Sequence, residues 1–406
     1  ATCRLAAGAV PRVWAHPDVV SLKAARAIGP EAPVPAALSR STPPPEEPSA
    51  PPRRPPGAVP TGAGVVVGVV DWGLDVDHPN FRHADGTTRL LALWDQRRRA
   101  KGGRGRRSPA PYGYGVVHSR RDIDAALRTA EPFRALDYDA SDADRGGGTH
   151  GCHVMDIAAG NGTVGPSGVA PGADLVFVHL ADRGTGGLAT MGDSVRLLEA
   201  VDFIARTAGE RPWVINLSMG RHGGPHDGCT LTELALDELL SAAPGRFIAQ
   251  SAGNYHQART HAGGRIGRGE RRTLHVIVDP DDRTPNELEI WYPGQDELAV
   301  SIIPPGQVAA EPVPLGSDRD ITLTAGTSDA RPVGHVYHRA HDPNNGDHQI
   351  DAFLAADAPA GTWRVVLEGR RIIVGRYHAW LERDEACARC QARFAPDDAL
   401  TDLTLG

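Results

Sequence analysis

The chain has 406 residues, of which 40% are apolar and 23% charged, and its formal net charge is −7. Such a composition belongs to a folded globular protein with room for two domains, or for one large α/β domain carrying insertions. No stretch is apolar for long enough to span a membrane as a helix, so membrane insertion is not expected, and the acidic balance argues against a nucleic-acid partner.

Residues 1–29 contain short apolar pieces too small to form a core alone, and they read as the remnant of a preceding segment. Residues 30–60 (PEAPVPAALSRSTPPPEEPSAPPRRPPGAVP) are proline-rich, a composition that favours extended polyproline conformations, and form a linker. The α/β unit is expected over residues 61–261.

Residues 62–79 (GAGVVVGVVDWGLDVDHP) supply its first strong element. A β-branched run without polar alternation is the pattern of a strand buried on both faces of a parallel sheet. The strand ends at Asp71, and in open parallel sheets working groups sit at the carboxyl ends of strands. The basic run at residues 97–107 (RRRAKGGRGRR) has no interleaved aromatic residues and reads as a solvated loop. Residues 146–162 (GGGTHGCHVMDIAAGNG) follow as a glycine-loosened loop that delivers His150 to the start of a buried helix. A helix N-terminus disfavours the imidazolium, which suits His150 to general-base work near neutral pH. Apolar residues at near-3.6 spacing predict amphipathic crossover helices over residues 191–207 and 231–242, each leading towards a strand, the doubly wound alternation.

Five pieces in this order resemble the subtilisin-like serine peptidases: VVDWGLDVDHPNF with Asp71, THGCHVMDIAAGNG with His150, GVAPGA at 168–173, VINLSMG at 214–220, and FIAQSAGN ending at Asn254. The resemblance implies an α/β, doubly wound parallel sheet and a peptidase acting on peptide or protein substrates without a cofactor. It implies that Asp71 orients His150, that His150 takes the proton of a serine nucleophile, and that Asn254 donates to the oxyanion. Ser218, Met219 and Gly220 would pair with the substrate backbone as an added strand. It also implies an N-terminal propeptide acting as an intramolecular inhibitor, of which residues 1–29 would be the last part. Two departures stand out. Cys152 occupies a position that is usually threonine, and Met155-Asp156 replaces a pair of small residues.

The family's serine lies in a Gly-Thr-Ser-x-Ala-x-Pro context that opens a long apolar helix. Residues 326–332 (GTSDARP) match the letters at Ser328, but no apolar helical period follows. The nucleophile and its helix are therefore expected beyond Gly406. Activity through Ser328 is the minority reading, and an inactive pseudoprotease or peptide- or glycan-binding module is the alternative.

Residues 262–385 carry short strands separated by turns, the pattern of an all-β sandwich or jelly-roll-like insertion. Its aromatic residues sit inside alternating strands and read as core. His335, His338, His341 and His348 cluster with Asp342, Asp347 and Asp351 at spacings that match no tight metal site, so no metal ligand is assigned. Residues 386–406 form a loop leading back to the core; its Cys387 and Cys390 make a lone C-x-x-C with no second pair, and no chemistry is assigned to it.

Overall fold

The computed structural model describes residues 2–3, 5–19, 21–24, 27–30, 60–97, 107–140, 149–180, 182–183, 189–190, 192–324, 330–382 and 391–400. The C-x-x-C cysteines, Ser328 and all of the 30–60 stretch except Pro30 and Pro60 lie outside the described residues.

The β-branched run after Gly64 forms β1 (Val66–Asp71), with all six residues buried. It lies at the centre of a six-stranded sheet with β2 (Leu90–Asp95), β3 (Val116–Ser119), β4 (Asp174–His179), β5 (Trp213–Leu217) and β6 (Arg246–Gln250), in the order β6-β5-β1-β4-β2-β3. All neighbours are parallel except β3, which closes one edge antiparallel to β2.

Among the described residues, the longer helices α1 (Arg120–Leu127), α2 (His150–Ala159), α3 (Ser194–Ala208) and α4 (Leu231–Ser241) flank the sheet. Capping boxes start α1 at Ser119 and α4 at Thr230, where each side chain accepts from the backbone three residues on. On one face Val201, Phe203 and Ile204 of α3 pack with Val66, Val70, Ile215 and Leu217. Gly68 lets α3 close on β1, because a Cβ there would stand 2.5 Å from Ile204 Cγ2. On the other face Met155 and Ala159 of α2 pack against Val67, Val69 and Phe177. The α/β architecture expected from the sequence is the one observed.

Beyond β6 the chain builds two antiparallel sheets, the β insertion expected from the alternating strands. One has the order His261–Arg265, Arg376–Leu381, Asn286–Tyr292, His348–Leu354, Ala330–Arg339, Ser317–Thr324. The other runs Val313–Pro314, Glu297–Ile303, Gly361–Arg371, Arg271–Val278, Arg393–Phe394. Their shared core includes Tyr292, Val300, Ile350, Trp363, Leu367 and Phe394. From His261–Arg265 to Arg376–Leu381 these strands fill the span expected for the insertion. Arg393–Phe394, past the expected end of the insertion, also pairs in this sheet.

The two parts meet at residues 221–223, immediately after the strand Met219–Gly220. Arg221 ion-pairs with Glu287, Glu289 and Glu382 at 3.0, 2.9 and 3.1 Å. The Glu382 carboxylate also accepts from the backbone N–H groups of His222 and Gly223. No helix among the described residues is long and apolar enough to cross a membrane.

Candidate active site

Strand β1 carries Asp71 to the carboxyl edge of the sheet, where its side chain is fully buried. The chain then turns sharply through Trp72 and Gly73. Gly73 adopts φ +69°, and a Cβ there would lie 2.6 Å from Ala140 O and 2.9 Å from Thr149 Cβ, so this turn needs glycine.

His150 is the first residue of α2, with Thr149 as an extended N-cap. Its Nδ1 lies 2.8 Å from Asp71 Oδ1 and 3.0 Å from Oδ2. A buried carboxylate at that distance orients the imidazole and favours the tautomer with a proton on Nδ1. The ring is about one-third exposed (32%), open enough to meet a reacting group.

Trp72 stacks on His150 with ring centroids 4.2 Å apart and planes 8° from parallel. Its N–H donates to Asp71 Oδ1 at 2.7 Å, and its carbonyl accepts from Gly151 N–H at 2.7 Å. Behind the turn, Tyr138 Oη accepts from Leu74 N–H at 3.0 Å and lies 2.9 Å from His179 Nδ1. Burial pushes the Tyr138 phenol pKa up, so the hydroxyl keeps its proton.

The neighbours of His150 on α2 have other duties. His153 is exposed. Cys152 packs against the α2 side of the sheet core, and burial pushes its thiol pKa up, which disfavours a nucleophilic thiolate.

At the rim, Ser218 is half-buried and Asn216 Nδ2 donates to its Oγ at 2.8 Å. Met219 is buried and its carbonyl accepts from Gln250 Nε2 at 2.6 Å. Met219 and Gly220 pair antiparallel with Pro30 and Gly29, while Ala27 and Ile28 pair with Asp193 and Gly192. An extended stretch of the chain's own N-terminal region thus fills a slot between two short strands. Asn254 is exposed in the loop that follows β6, after Gly253 at φ +90°.

Of the sandwich histidines, His341 donates its backbone N–H to His348 Nδ1 at 2.9 Å, while His338 and His335 have partners of their own. His338 is buried with its Nε2 2.6 Å from Tyr292 Oη, and burial pushes its pKa down to about 4. His335 bridges Asp320 and Asp318 at 2.7 and 3.1 Å. Glu287, Glu289 and Asp351 bring carboxylate oxygens within 4.8 Å of one another. Guanidinium groups already pair with this cluster, Arg221 with both glutamates and Arg339 with Asp351.

The structure therefore brings Asp71 and His150 together and places Met219 and Gly220 on a pairing strand, with Ser218 just before it. Sequence reasoning passed over Trp72, Tyr138, His179 and Arg221. Only Trp72 carried a signal, its position directly after a strand-end aspartate.

A profile of the subtilase family matches residues 62–304. The subtilisin-like protease SBT2.1 of Arabidopsis thaliana is 28% identical over 209 residues, 48% of this chain and 23% of that protein. The PII-type proteinase of Lacticaseibacillus paracasei is 30% identical over 175 residues, 40% of this chain and 8% of that protein. This chain thus spans less than a quarter of either relative. Among solved structures, the Clostridium perfringens CspB protease is similar in fold, with a TM-score of 0.68 and 22% identity over 86% of this chain and 67% of that one.

Proposed function

Because this chain belongs to the subtilase family, we propose that it forms the Asp-His part and the substrate strand of a serine endopeptidase that hydrolyses peptide bonds. The observation that carries the proposal is the His150–Asp71 pair at 2.8 Å, at the carboxyl edge of a parallel sheet beside a strand that pairs with an extended segment. In this reading His150 takes the proton of a serine hydroxyl through Nε2 and returns it to the leaving amine, while Asp71 stabilises the imidazolium. Asn254 donates its amide to the oxyanion, and Ser218, Met219 and Gly220 hold the substrate backbone. Ala27–Pro30 lies where that backbone would run, which supports a role for the N-terminal segment as an intramolecular inhibitor.

The nucleophile in this proposal is a serine on a helix supplied from beyond Gly406. The support is an uncovered sheet face. Val67 and Val69 of β1 are sealed by α2, yet their partners in register along β5 and β6 are not. Val214 is 37% exposed and Phe247 61% exposed on that face, although parallel sheets are normally covered on both sides. An apolar helix beside α2 would bury both. Ser328 is a poor rival, since its segment joins Ser317–Thr324 to Ala330–Arg339, two antiparallel strands of the sandwich.

A second reading, a peptide-binding module without catalysis, is favoured by the same pairing of Ala27–Pro30. A fluorophosphonate probe separates the two. On the full reading frame, labelling of a serine that is lost in His150→Ala supports the peptidase, and no labelling supports the binding module. Labelling of the 406-residue chain that disappears in Ser328→Ala would instead assign Ser328 as nucleophile.

A further inference from the structure

Two influences act on His150 in opposite directions. As the first residue of α2 it sits where the helix dipole opposes a positive charge. Yet the ring is covered by the face of Trp72, 4.2 Å away and nearly parallel, and a tryptophan face attracts a cation more than a neutral ring. The geometry points to Trp72 as a positioning residue for the base: its indole fixes the plane of the His150 ring and favours the imidazolium form.

Four backbone groups from Trp72 to Leu74 are engaged, so the indole is mounted on a fixed turn. Trp72 N–H is bound by Asp71 Oδ1 and Trp72 O by Gly151 N–H. Gly73 N–H faces the His179 imidazole at 3.4 Å, and Leu74 N–H donates to Tyr138 Oη at 3.0 Å. The indole is 7% exposed and belongs to the core under α3. The imidazole is thereby held on its face by Trp72 and at its Nδ1 edge by Asp71. Sliding the ring in its own plane would break the Asp71 bond, and tilting it would strike the indole. Titratable groups on the elements around the ring are Asp71, Asp75, Tyr138 and His179, together with Cys152, His153 and Asp156 on α2 itself.

The inference rests on His150 being the base of the proposed peptidase, but its test needs no turnover. His150 is titrated by NMR in the 406-residue chain, assigned by the signals lost in His150→Ala, in wild type, Trp72→Leu and Trp72→Phe. Leucine keeps apolar bulk and removes the π face. Trp72→Leu is expected to lower the His150 pKa by about 0.4–0.7 unit, the equivalent of an ordinary cation–π contact, and to broaden its Nδ1–H resonance. Trp72→Phe, with a weaker π face, is expected to lower it by roughly half as much and keep the resonance sharp. Should the leucine variant fail to give a dispersed spectrum, Trp72→Phe alone carries the test, with the same direction of shift expected. An unchanged pKa with a sharp Nδ1–H signal in the folded variants would overturn the role of Trp72. Failure of the peptidase reading shows differently, as absent probe labelling with the titration shifts intact.

Discussion

Replacing Arg221 by methionine is the sharpest perturbation of how the sandwich meets the α/β unit. The Arg221 side chain is 15% exposed and Glu289 only 1%, with Glu287 and Glu382 the further partners. Burial alone would lower the Arg221 pKa, but the carboxylates of Glu382, Glu289 and Glu287 raise it, so the guanidinium stays charged. Methionine preserves apolar volume but leaves three carboxylates without their cation. Removing one partner of a buried ion pair costs about 3–5 kcal/mol, against about 0–1 kcal/mol for an exposed pair. At about 2–4 °C per kcal/mol, the melting temperature should fall by roughly 6–20 °C. Glu289→Gln in the methionine background should restore part of the loss, because Trp291 Nε1 and Gln349 Nε2, 3.1 and 3.2 Å from Glu289 Oε2, can still donate to an amide oxygen. Scanning calorimetry of the two single variants and the double variant measures the cycle. A loss below about 1 kcal/mol in Arg221→Met, or no recovery in the double variant, would refute the argument that this buried charge sets the junction.

Glu287 of this cluster and His338 elsewhere in the sandwich predict an opposing pair of pH effects. Burial, only partly offset by Arg221, raises the Glu287 pKa to about 7, so its contribution is full below the unfolded value near 4.5 and declines as pH rises towards 7. His338, pushed down to about 4, acts the other way: its contribution is full above the unfolded value of 6.5 and declines as pH falls towards 4. Urea unfolding between pH 4 and 8 should therefore show a steeper acid loss in Glu287→Gln than in wild type; equal slopes would count against the raised carboxyl. Gly73→Ala places a Cβ 2.6 Å from Ala140 O at φ +69°, and should cost about 1–3 kcal/mol while displacing His150 from Asp71. Urea midpoints report the first effect and the His150 Nδ1–H resonance the second; a neutral substitution contradicts the tight turn. Cys152, half-buried with a raised thiol pKa, should react with iodoacetamide at pH 7.5 more slowly than exposed Cys3, as followed by peptide mass spectrometry. Faster alkylation at Cys152 would mean that its thiolate is favoured by the neighbouring base.

What could be read directly were features written in adjacent residues. The valine run of β1 has no polar alternation, so burial on both faces and an aspartate at the strand end followed from the sequence. The glycine-loosened approach to His150 and the near-3.6 apolar spacing of α3 are likewise local, as were most sandwich strands. Strand β3 and the short strands His261–Arg265 and Arg393–Phe394 were not legible: the first has only four residues, the second is HAGGR, and the third is two residues long.

Tertiary structure alone decided the contacts between residues far apart in the chain. Nothing periodic marks AIGP at 27–30 as a strand; it becomes one because it pairs with Met219–Gly220 on one side and Gly192–Asp193 on the other. Trp72 follows the strand-end aspartate in sequence, but only the packing of α2 sets His150 against its ring. Arg221 and its glutamates are separated by 66 positions or more, and no sequence pattern distinguishes them from solvated charges. Burying them together lowers the effective dielectric around all four groups, and only the packed fold creates that environment.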